Sequence, residues 1–144
     1  MLRGSRRRGR EAALQLLYQL DVTGDPSPAA LETFWENLPG KSGSAEVRAF
    51  ASDLVGRVLD KREELDRMID EASRHWQLER ISSVDLNLMR LATCELLESP
   101  EVPARVVVDE AIEIAHRFSD AKSAGFVNGI LDHIAREQGR FEEG

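Results

Sequence analysis

From Val47 to Trp76 apolar residues return every three or four positions, at Val47, Phe50, Leu54, Val58, Leu65, Met68, Ala72 and Trp76, with one gap of seven around Lys61 and Arg62. That period stacks apolar side chains on one side of an α-helix. The gap leaves two readings open, one long helix or two with a break near Asp60. The same spacing predicts a helix from about Arg6 to Leu20, with Ala13, Leu14, Leu16, Leu17 and Leu20 on one face and a turn at 21–26 closing it. A short helix over Pro28 to Asn37 follows, then a loop from Pro39 to Ser44 whose last serine can cap the next helix.

Beyond residue 80 the pattern changes. Ser82 and Ser83 offer an N-cap, and Val84 to Leu97 is apolar on nearly every side, which predicts a central helix surrounded by others. Pro100 and Pro103 end it. Amphipathic helices are predicted through Val107 to Phe118 and through Phe126 to Ile134. No stretch alternates with period two between hairpin turns. The chain is therefore expected to be all-α, about seven helices in two small packed bundles forming one compact domain.

Length and composition bound this picture. A chain of 144 residues with 42% hydrophobic content can bury one core and is short for two independent domains. Charged residues make up 31% and are interspersed with apolar ones, unlike disordered sequences. No apolar run approaches the roughly 20 residues that cross a bilayer, and the basic start lacks a signal-peptide core, so a cytoplasmic protein without membrane contact is expected. The organisation expected is a basic arm over 1–10 running into the first helix, a helical domain over 6–137, and a polar tail over 138–144 that frays.

Charge is informative by region. The net charge is −7, yet the first ten residues hold Arg3, Arg6, Arg7, Arg8 and Arg10 and no acid, so +5 there leaves −12 on the remainder. A basic arm on an acidic body suggests that the arm meets a polyanion while the body attracts a basic partner.

Catalytic and metal motifs are near misses. Gly4 and Gly9 have P-loop spacing, but Arg10 and Glu11 replace the lysine and the Ser/Thr, and no strand precedes them. His75, His116 and His133 lack a second ligand at zinc spacing, and the lone Cys94 sits among apolar residues as a core thiol would. Pairs such as Glu63-Glu64 and Asp109-Glu110 belong to solvated helix faces. A non-enzyme without metal or cofactor is expected.

Two constellations stand out. Guanidinium groups grip phosphate bidentately, so Arg6, Arg7, Arg8 and Arg10 form a candidate RNA-binding set against the bland alternative of a disordered basic start. Near the last helix, Lys122 precedes Phe126, an aromatic beside a cation that could stack an unpaired base. Helical spacing alone favours Phe126 as a core residue with Ile130.

Several segments, in order and from residue 6 to about residue 134, resemble the NusB family. They are Arg6-Arg7-Arg8-Gly9-Arg10-Glu11-Ala12-Ala13-Leu14-Gln15-Leu16-Leu17-Tyr18; Val84-Asp85 with Leu88-Met89-Arg90-Leu91-Ala92; Val102-Pro103 followed by Asp109-Glu110-Ala111-Ile112; and Phe118-Ser119 leading to Phe126-Val127-Asn128-Gly129-Ile130-Leu131. The resemblance implies a transcription antitermination factor that pairs with NusE, a small-subunit ribosomal protein, and holds single-stranded boxA RNA in RNA polymerase complexes on ribosomal RNA operons. It implies RNA contact by Arg6 to Arg10, Lys122 and Phe126, and partner contact by Tyr18 and Asp85, so Phe126 is expected at RNA after all. Cys94, Asp109 and Lys122 depart from residues common in the family.

Two other readings stand beside it. The same helical domain precedes a ribosomal RNA cytosine methyltransferase, but here no glycine-rich S-adenosylmethionine segment or paired cysteines follow, which leaves an RNA-processing or modification module without its own catalysis. The other is a purely protein-binding helical module. An apolar face that binds NusE could equally bind a second copy, so a homodimer stays open.

Overall fold

The computed structural model describes residues 3–38, 44–74 and 81–141. Met1 and Leu2 of the arm, most of the 39–44 loop, His75 and Trp76, and the last three residues of the tail lie outside them. Among the described residues there are seven helices and no strand: α1 (Arg3–Thr23), α2 (Pro28–Asn37), α3 (Ala45–Asp60), α4 (Arg62–Ser73), α5 (Ser83–Glu98), α6 (Ala104–Phe118) and α7 (Ala121–Glu137). The chain divides into two compact units, 1–57 and 58–144.

In the first unit local chemistry sets the helix ends. Gly24 has a φ of +65°, a conformation glycine adopts without strain, and it closes α1. Ser27 caps α2, its hydroxyl accepting from the Ala30 N–H at 3.2 Å, and Pro28 occupies the first helical turn where no N–H is needed. The buried apolar side chains include Ala13, Leu14, Leu16 and Leu17 of α1, Phe34 and Trp35 of α2, and Val47, Ala51 and Leu54 of α3.

In the second unit α5 packs against α4, α6 and α7, as its all-round apolar sequence predicts, and α6 and α7 pair closely. Each fully buried leucine- or isoleucine-sized side chain here contributes roughly 1.5–3 kcal/mol; Met89, Leu96, Ile114, Ile130, Leu131 and Ile134 are among them. Cys94 is also buried. The long apolar pattern resolves into two helices, because Lys61 turns the chain between α3 and α4. In α4 the core positions are Leu65, Ile69 and Ala72, with Met68 half-buried rather than central.

α5 also buries polar groups that its apolar appearance hid. Arg90 reaches Asp66 of α4 through two bonds, Nε to Oδ1 at 2.6 Å and Nη2 to Oδ2 at 2.9 Å, and gives a third from Nη1 to Asn87 at 2.9 Å. Such a bidentate pair holds two helices in one register, and removing one partner would strand a buried charge. The expected fraying of the tail does not extend to its first residues. Arg140 donates to the backbone carbonyls of Leu96 and Val102, and Phe141 lies between the Arg105 and Arg136 guanidiniums, whose carbons are 4.8 and 5.2 Å from its ring centre.

Candidate nucleic-acid interface

The arginine-rich segment is not an arm ahead of the first helix but the start of it, since α1 begins at Arg3. No acid occupies its first turn. Helix N-termini carry partial positive charge and favour acids, so arginines here oppose the dipole and gain nothing locally. Their placement makes sense if an anion completes the site, because exposed backbone N–H groups and guanidiniums then act together.

Phe50 of α3 anchors this end. A side-chain carbon at Gly9 would lie only 2.4 Å from Phe50 Cδ2, so glycine is the residue that lets the ring press onto the helix. On either side, the guanidinium carbons of Arg6 and Arg10 lie 5.4 and 5.7 Å from the ring centre, within cation–π range. Arg6, Arg7 and Arg8 keep partial exposure. Arg10 does not: it is 5% exposed. Its guanidinium covers the Phe50 ring, and contact with phosphate stays an expectation. Sequence spacing could not show this, for Phe50 reads as one more member of an apolar stripe.

Further along α1, Tyr18 is 44% exposed, with Gln15 and Val22 exposed on the same side. That agrees with a residue available to a partner.

The second constellation lies where α6 turns into α7. Asp120 caps α7 by accepting from the N–H groups of Lys122 and Ser123 at 3.1 and 3.0 Å. Lys122 is exposed beside it, and His116 and Arg117 are exposed in the last turn of α6. Phe126, one turn on, is only 9% exposed. That burial agrees with the packing reading that helical spacing favours, and contact with a base stays an expectation.

Asp85, expected at a partner, is also largely enclosed in the protein alone. It is 5% exposed, and its two oxygens accept hydroxyl hydrogen bonds from Ser119 and Ser123, each at 2.8 Å. Neither serine was singled out from sequence, and no signal there pairs them with a carboxylate more than 30 residues away.

Among the described residues no group of His, Cys, Asp and Glu could hold a metal ion, and no helix is long and apolar enough to cross a membrane. His133 pairs with Glu137 at 3.1 Å. A hollow of about 650 Å³ at the α3–α4 turn is lined by Leu59, Asp60, Lys61, Arg62, Glu63 and Glu64. Glu98 raises the pKa of Lys61 by accepting its hydrogen bond.

The NusB family model matches residues 7–136. The chain belongs to the NusB family. A transcription antitermination protein NusB from Desulfatibacillum aliphaticivorans is 45% identical over 140 residues, covering 97% of this chain and 96% of the relative. One from Sorangium cellulosum is 43% identical over 139 residues, covering 96% and 97%. Among solved structures, NusB from T. maritima superposes with a TM-score of 0.77 at 37% identity, covering 92% of this chain and 91% of that one. A NusB chain crystallised with NusE and double-stranded RNA gives 0.76 at 26% identity, covering 94% and 99%. The NusB fold thus accounts for all seven helices expected from the sequence.

Proposed function

We propose that this NusB-family chain is a non-catalytic, RNA-binding transcription antitermination factor. Together with NusE it holds boxA-type single-stranded RNA in RNA polymerase complexes on ribosomal RNA operons, in the cytoplasm. The observation that carries this reading is the cationic start of α1, where arginines stand against the helix dipole and the Arg6 guanidinium rests on the Phe50 ring that packs on Gly9. A solved complex of NusB and NusE with double-stranded RNA supports NusE and RNA as the classes of ligand.

In this reading Arg6, Arg7 and Arg8 contact phosphates, Lys122 adds a second cationic contact, and Tyr18 faces NusE. The acidic remainder of the chain, at −12, repels RNA and attracts a basic ribosomal protein, so NusE raises RNA affinity. The test is titration of labelled boxA-type RNA at several salt concentrations, with and without NusE. Replacing Arg6, Arg7 and Arg8 by alanine should flatten the plot of log K against log salt by about 2, from about 0.7 per phosphate contact on a single strand. An unchanged slope, or an RNA affinity unaltered by saturating NusE, would overturn the proposal.

A further inference from the structure

We infer that Asp85 is a positioning residue for RNA binding: from inside the protein it locks the α6–α7 corner that presents Lys122 and Arg117. The inference rests on the reading of Lys122 as an RNA contact and deepens it.

Asp85 lies in the first turn of α5, where the helix dipole favours a carboxylate. Ser82 caps that helix by accepting from the Asp85 N–H at 3.1 Å. In a reciprocal capping box the acid would reach back to the cap's own N–H. Here both carboxylate oxygens go elsewhere, Oδ1 to the Ser119 hydroxyl and Oδ2 to the Ser123 hydroxyl. Those serines bracket the corner, Ser119 ending α6 and Ser123 lying in the first turn of α7.

Asp120, between them, holds the Lys122 and Ser123 N–H groups and also takes a bond from the Ser123 hydroxyl at 3.2 Å. The backbone that carries Lys122 is thus fixed on both sides. Outward, Lys122 and Arg117 are exposed, with the Arg117 guanidinium carbon 5.5 Å from the centre of the half-buried Phe118 ring. A buried carboxylate with both oxygens satisfied by hydroxyls costs far less than an unpaired one. Loss of the carboxylate leaves the Ser119 hydroxyl without this acceptor and the Ser123 hydroxyl with Asp120 alone, so α5 no longer ties the two sides of the corner together.

The experiment measures RNA binding in the presence of NusE, across salt, for the full-length wild type, Asp85→Ala, Asp85→Asn and Lys122→Ala. Asp85→Ala should weaken RNA binding roughly fivefold and lower the salt slope by about 0.7, matching Lys122→Ala. Asp85→Asn should restore both, since its amide accepts from one serine and donates to the other. Removing a negative charge would by itself strengthen RNA binding, so a gain of affinity in both Asp85 variants would overturn the proposal.

Loss of affinity in Lys122→Ala without any in Asp85→Ala defeats the positioning role alone. No effect of Lys122→Ala defeats the RNA-contact reading of the corner, and the positioning role with it. If Asp85→Ala does not fold, Ser119→Ala serves instead. It should weaken binding about twofold, from one lost hydrogen bond, and speed hydrogen exchange at the Lys122 and Ser123 amides; unchanged exchange and affinity would count against the lock.

Discussion

The start of α1 and the corner between α6 and α7 both present cationic side chains, yet opposite local rules put them there. At the corner every choice agrees with helix chemistry: His116 and Arg117 stand in the last turn of α6, where cations are favoured, and Asp120 caps α7. In α1 the arginines stand at the disfavoured end, and order comes from a single ring seated on a glycine. The corner would form without any ligand. The α1 end combines a local electrostatic penalty with a packing device that offsets it, a pattern expected of residues kept for binding rather than for stability.

The largest effect that probes this contrast is Phe126→Ala. If the corner is a packed scaffold, losing this buried ring costs about 3 kcal/mol, read as a fall in Tm of roughly 10 °C for a chain of this size. A loss below about 1 kcal/mol would place the ring outside the core and make the two regions alike. Next in size are two glycines within α1 and α3. Gly9→Ala forces the Phe50 ring aside and should cost about 1–3 kcal/mol. Gly56 has nothing within 4 Å of an added carbon, so Gly56→Ala should stabilise by about 0.5–1 kcal/mol. Denaturant melts in which Gly9→Ala stabilises as Gly56→Ala does would remove Phe50 from its anchoring role.

The smallest effect lies between α2 and α3, where Arg48 donates to Glu32 at 2.7 Å. This bond holds the Glu32 carboxyl below its ordinary pKa of 4.5. The pair therefore contributes fully above that value and is lost as pH falls through the lowered one. Glu32→Gln should lower Tm slightly at neutral pH, with the two melts converging in strong acid. A gap that persists there would rule out the charge pair as its cause.

Features written in neighbouring residues were legible in the sequence. The start of α2 follows from Ser27 and Pro28, whereas the gap at Lys61 and Arg62 left one long helix and two helices equally open until packing separated α3 from α4. The first turn of α1 escaped notice because arginine is a good helix former that leaves no apolar stripe to mark it. In α4 both Met68 and Ile69 fit the period, and only packing selects Ile69. The site was half visible. Arginines at one end and a lysine near the other could be picked out by type, whereas the enclosure of Arg10 beside Phe50 and of Asp85 beside Ser119 and Ser123 depends on residues distant in sequence. Arg90 shows the same limit, since nothing local pairs it with Asp66.

Arg140 and Phe141 have a practical consequence for handling the protein. Because the Arg140 guanidinium holds carbonyls at the end of α5 and in the turn before α6, the chain just beyond α7 works as a clasp. Carboxypeptidase digestion that passes Phe141 and removes Arg140 should loosen the turn before α6. A dye, tag or surface tether is best joined beyond Phe141, where pulling on it loads the clasp before it disturbs α5.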